Sequence, residues 1–147
     1  MRRALLALTV VIGTAMPGLA EMVTVPSPKS VNETADALAL AIEGAGAKVV
    51  ARVDHHGAAK GAGLDMPEAT VLIFGNPKIG TPAMQADVRA GLYLPLKVLV
   101  YADTDGNTQM GYDDPKTMFE GLDIPGDAAF LAKMAGALGK LTAKAAE

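Results

Sequence analysis

Leu96-Lys97-Val98-Leu99-Val100-Tyr101-Ala102-Asp103-Thr104-Asp105-Gly106-Asn107-Thr108-Gln109-Met110-Gly111-Tyr112 is the stretch that decides the fold. An apolar run from Leu96 meets a turn of Asp, Gly and Asn, and the chain returns from Thr108. Apolar and β-prone residues flanking such a turn predict an antiparallel hairpin. Strand alternation puts Lys97, Leu99, Tyr101 and Asp103 on one face and Leu96, Val98 and Val100 on the other.

Outward from the hairpin, short strands alternate with helices. Residues 22–26 and the continuous apolar run 70–74 read as strands. Residues 48–55 alternate, with Val49, Ala51 and Val53 on one face and Lys48, Arg52 and Asp54 on the other. Helices are predicted over 31–45, 56–63, 81–90 and 114–122, and from Asp127 to the end. The first opens with Ser30-Val31-Asn32-Glu33, a capping box. Thr81 followed by Pro82 reads as an N-cap with proline at the first helical position, after a Gly/Pro loop at 75–81. Phe130, Met134, Leu138 and Leu141 form the apolar face of the last helix. A hairpin plus separated strands predicts a two-layer α+β fold, its sheet mixed or mostly antiparallel, with helices packed on one face.

Residues 1–20 read as a secretory signal: Arg2-Arg3, an apolar core, then Pro17-Gly18-Leu19-Ala20 with cleavage after Ala20. The expected location is the periplasm or the exterior, with no membrane insertion after cleavage, and 21–147 as a single domain. The chain carries 13 basic and 16 acidic residues. Removing Arg2 and Arg3 with the leader leaves 11 against 16, a formal balance of −5. An acidic chain without tryptophan argues against nucleic acid as a partner. The absence of cysteine removes thiol catalysis, iron–sulfur ligation and cysteine zinc sites. The only serines, Ser27 and Ser30, lie near the mature N-terminus, and Ser30 is a helix cap, which leaves a serine hydrolase no nucleophile.

The segment Asp54-His55-His56-Gly57-Ala58-Ala59-Lys60-Gly61-Ala62-Gly63-Leu64 resembles the opening of the bacterial and archaeal family called domain of unknown function 302. The likeness continues through Val71-Leu72-Ile73-Phe74-Gly75-Asn76-Pro77-Lys78-Ile79-Gly80-Thr81-Pro82-Ala83-Met84-Gln85 and Gly91-Leu92-Tyr93-Leu94-Pro95-Leu96-Lys97-Val98-Leu99-Val100. His56 departs from the family pattern, which has a small residue there. The resemblance implies a compact α+β domain, often dimeric, and implies no activity.

The chemistry-bearing residues fall into three groups. Asn76, Lys78, Thr81 and Gln85, with Lys97 and Tyr101 on the strand face, are candidates for a polar ligand site. The spacing of Gly75 and Gly80 fails as a phosphate loop, because Thr81 stands where the lysine is needed and Pro77 removes a donor. His55, His56 and Met84 are candidate ligands for copper or haem, although no cofactor is expected. His55 is expected at the core edge, bonded to backbone, and His56 in solvent. Asp54 with a histidine, and Lys78 or Lys97 as electrophile, would make an acid–base enzyme. Asp103 to Asp114 lacks the turn glycine of a calcium loop. The expectation is a non-enzymatic binding or accessory module, homodimeric, holding a small ligand or a periplasmic protein. The alternatives are the metal or haem protein and the acid–base enzyme.

Overall fold

The computed structural model describes residues 21–147, so the expected signal segment lies outside the described residues. Five strands form one antiparallel sheet: β1 (Met22–Ser27), β2 (Lys48–Asp54), β3 (Ala69–Gly75), β4 (Leu96–Ala102) and β5 (Thr108–Asp113), in the order β1-β5-β4-β3-β2. The hairpin sits at the centre of this order. Leu99 pairs with Gly111 and Ala102 with Thr108. Its turn is closed by Asp103, whose Oδ1 accepts the N–H of Asp105 at 3.0 Å and of Asn107 at 2.8 Å. Gly106 takes a φ of +82°, which a glycine adopts without steric cost.

Two helices cover one face, α1 (Val31–Gly44) and the C-terminal helix. The capping box at Ser30 forms as read: Ser30 Oγ accepts the Glu33 N–H, and the Ser30 N–H donates to Glu33. From α1, Val31, Ala35, Leu38 and Ile42 meet Leu72, Phe74, Val98, Val100 and Met110 of the sheet in one core. Further along lie α2 (His55–Gly61), α3 (Pro77–Ala86), a single 3-10 turn at Val88–Leu92, and α4 (Ala129–Ala146). Leu131, Met134, Leu138, Leu141 and Ala145 bury the inner face of α4. Lys29 Nζ donates to the Ala145 carbonyl at 2.8 Å, placing a cation on the C-terminal end of α4, where the helix dipole favours it.

Four local expectations are corrected. The alternation of 48–55 is broken by a bulge between Val49 and Ala51, so Val50 is an extra residue. Val49 then pairs with the core residue Phe74, whereas Ala51 and Val53 pair with Ile73 and Val71 on the open face. Arg52 turns to the helices and bonds Asp36 of α1. The third helix begins at Pro77 with Asn76 as its cap, and Thr81-Pro82 lies inside it. Pro82 is the sixth residue of α3, and its missing N–H costs the helix one internal bond. Residues 114–122 form successive turns instead of a helix. There Asp114 Oδ1 takes the Lys116 N–H at 3.0 Å, and Gly121 at φ +83° reverses the chain. Finally, Ala128, not Asp127, precedes α4 and gives it no side-chain cap, and Leu131 takes the buried place expected for Phe130.

Candidate functional site

A large cavity lies at the end of the sheet where β3 stops and β2 and β4 begin. It is a groove of about 910 Å³, within the size range of small-molecule sites. α3 forms one wall and α4 the other. Phe74, Leu94, cis-Pro95 and Leu96 line it from the sheet, Ile79 and Met84 from α3. The bulge also has a place here, since the extra residue Val50 faces the groove. Lys48, Lys133 and Lys140 are its charged lining residues, and no acidic residue lines it.

α3 is held over the groove by Asn76. Its Oδ1 accepts the Lys78 N–H at 3.0 Å, and its Nδ2 donates to the Gly46 carbonyl at 3.3 Å. One amide thus starts the helix and ties it to the turn between α1 and β2. A second tie lies beyond α3. The buried Asp87 carboxylate accepts Arg89 Nη2 at 2.6 Å, Arg89 Nε at 3.0 Å and the Asp123 N–H at 3.0 Å. The Arg89 guanidinium, followed by the backbone N–H groups of Asp123 and Arg89, holds the Asp87 carboxyl far below the usual carboxylate range. Nearby, Tyr93 and Phe119 pack edge to face with ring centroids 5.7 Å apart.

The residues singled out for a polar ligand site do not converge. Asn76 and Thr81 line the groove, but the Asn76 amide is engaged in holding α3. Lys78 and Gln85 are exposed and lie outside the groove lining. Lys97 and Tyr101 stand on the open face of the sheet, opposite the helices, as the alternation requires. Lys97 Nζ donates to the Tyr93 carbonyl at 3.1 Å. Tyr101 lies beside Gly111, where a Cβ would come within 3.5 Å of its ring. Asp103 accepts Gln109 Nε2 at 3.0 Å, and that bond, followed by those of its own turn, holds its carboxyl below the usual range.

His55 and His56 open α2 at the far end of β2. Seven residues of strand separate that end from the groove, about 20 Å at 3.3 Å per residue. Met84 lines the groove, so the three candidate metal ligands occupy opposite ends of the sheet. The two histidines exchange their expected roles. His55 is exposed, and His56 is half-buried with Nδ1 donating to the Met66 carbonyl at 2.8 Å. The reason is that Asp54 ends β2 and caps α2, its Oδ1 accepting the Gly57 N–H at 2.8 Å. A Cβ at residue 57 would collide with that carboxylate, which accounts for the glycine. Among the described residues, no three of His, Asp and Glu are grouped to hold a metal ion.

Lys48, Lys133 and Lys140 escaped the sequence reading. The seven-residue spacing of Lys133 and Lys140 does place them on one side of α4, but that spacing also fits a solvated helix face.

The chain belongs to the family described as Domain of unknown function DUF302, whose model matches residues 23–145. A solved DUF302 protein from Bacillus stearothermophilus has the same fold, with a TM-score of 0.77 and 22% identity. That match covers 84% of this chain and 97% of the other. The chain is also 38% identical over 117 residues to the fluoride-specific ion channel FluC 1 of Brucella suis and to FluC 2 of Brucella melitensis. Each match takes in 78% of this chain but only 46% and 43% of those proteins, so the chain spans less than half of their length. Among the described residues, no helix is long and apolar enough to cross a membrane.

Proposed function

We propose that this chain is an exported, non-enzymatic binding module whose ligand lies in the groove between α3 and α4. The groove itself carries the reading: about 910 Å³, walled mainly by aliphatic and aromatic carbon. Apolar surface left concave and open gains free energy when a ligand covers it, and buried area of that kind is how small-molecule sites bind. The acid–base alternative finds no support in the geometry. Asp54 is committed to the Gly57 N–H, and both histidines stand a strand's length from the groove. Native mass spectrometry of the protein recovered from the periplasm of its host tests the proposal. A reproducible small-molecule adduct, lost when an apolar fluorescent probe is added in excess, is the expected result. A clean unliganded mass together with no probe binding overturns it.

The similarity to the FluC proteins favours a setting for this module beside a membrane channel. The part of those proteins outside the match would then carry the membrane-spanning helices, and the matched part would sit at the membrane surface. Fluoride itself is a poor ligand for the groove, because a small, strongly hydrated anion gains nothing from apolar walls. A homodimer fits the remaining surface. Val53, Val71, Ile73 and Leu99 share the face of the sheet opposite α1 and α4, and a second copy would cover it. Sedimentation of the wild type and of Leu99→Glu checks this, a shift to monomer being expected for the variant.

A further inference from the structure

We infer that the groove's ligand is a single-chain amphiphile with an anionic head, a long-chain fatty acid being the simplest case; this rests on the binding role proposed above. Two observations carry it. The lining is apolar in its depth, with Phe74, Ile79, Leu94 and Leu96 among the residues exposed to the cavity. Its charged groups are all of one sign. The chain has more acidic than basic residues, yet Lys48, Lys133 and Lys140 line the groove and no Asp or Glu does. All three lysines are solvent-exposed lining residues, and a lysine so placed keeps its ammonium group in water while its stem lies against apolar surface. Among the described residues none of the three has a carboxylate within 4.0 Å.

The arrangement on α4 fits an extended tail. Lys133 and Lys140 are two turns apart, and Gly136 and Ala137 lie between them with almost no side chain. The helix wall is therefore recessed between two cations. Lys48 lines the same groove from the start of β2. A neutral oil would leave the three charges without a counter-charge, and a cationic amphiphile would meet repulsion from all of them. An anionic head at the rim satisfies the lysines while the tail covers the carbon beneath.

The test is calorimetric titration of the mature protein with C8, C10 and C12 carboxylates below their micelle concentrations. Matched alkyl alcohols and alkyltrimethylammonium salts are titrated alongside. Carboxylate affinity is expected to rise about tenfold for each two methylenes until the groove is full. At equal chain length the carboxylate should bind about tenfold tighter than the alcohol, with the ammonium weakest. The double variant Lys133→Glu/Lys140→Glu should lose that order or reverse it, and its melting temperature serves as the control for folding. Gly136→Leu should weaken every amphiphile, because the new side chain occupies the recess; a Cβ there meets nothing within 4 Å, so the helix accepts it. Equal binding of all three head groups, or a double variant with unchanged order, overturns the anionic assignment and leaves the binding role standing. No binding of any amphiphile, with Gly136→Leu indistinguishable from wild type, overturns both.

Discussion

Replacing Asn76 with alanine tests the link between a single side chain and the shape of the groove. The substitution removes the N-cap acceptor for the Lys78 N–H and the donor to the Gly46 carbonyl. An N-cap asparagine contributes about 1 kcal/mol, and an exposed hydrogen bond of 3.3 Å about 0.5 kcal/mol. The total of about 1.5 kcal/mol corresponds to roughly a tenfold rise in local opening. The loss should stay local. α3 buries only Ala83 fully and already lacks one internal bond at Pro82, so it can open without the sheet. Hydrogen exchange should therefore quicken about tenfold over 80–86, with little change in β3 or β4. Asn76→Asp keeps the acceptor and should lose less than half as much. Thr81→Ala, which removes the cap that the sequence pattern favoured, should cost under about 0.5 kcal/mol. Unchanged exchange in Asn76→Ala, or a larger loss in Thr81→Ala, refutes the placement of the helix start.

Two further outcomes follow from the packing and the charges. Leu38 is 0% exposed and Leu40 is 71% exposed on the same helix. Leu38→Ala should cost about 2–5 kcal/mol and Leu40→Ala under about 0.5 kcal/mol in denaturant melts, and equal costs would refute the orientation of α1. The Asp87 carboxyl titrates lower in the folded chain than in the unfolded one, chiefly because Arg89 bonds it. Its contribution is thus complete above the unfolded value of about 4 and is lost as the pH falls from there toward the folded value. The stability gap between wild type and Asp87→Asn should accordingly narrow between pH 6 and pH 3. A gap that stays constant or widens would mean that the Asp87 bonds form equally in the unfolded chain.

What the sequence conveys well is whatever depends on neighbours in the chain. The Ser30–Glu33 box, the hairpin turn and the faces of Lys97, Val98 and Val100 are set within a few residues, and the structure keeps them. The misplacements have causes elsewhere in the fold. Asn76-Pro77 and Thr81-Pro82 carry the same cap-then-proline signal, and a contact to Gly46, thirty residues away, goes with the first. The bulge at Val50 is defined against β3, a partner that alternation along β2 does not contain. The candidate site shows the same division. Asn76 and Thr81 come from one continuous motif, and both reach the groove. Lys48 and Lys140 come from the second strand and the last helix, and only the closed fold brings them to one cavity. Conversely, Lys97 and Tyr101 lie on the open face of the sheet, away from that motif, because their place is set by the pairing of β4 with β3.

The strand order has a consequence in time. β1 pairs only with β5, and Met22 sits opposite Asp113, ninety-one residues later. The backbone of residue 21 is likewise joined to Asp114 and Thr117. Within this sheet β1 is made before the other four strands, and it must wait for β5 before it has anywhere to bond. The β2–β3–β4 part of the sheet can assemble from near neighbours, whereas closing β1 onto β5 carries the entropy of a loop that takes in most of the domain. Until that closure the outer edge of β5 is an unpaired strand, and the chain is most open to pairing with another molecule at that stage.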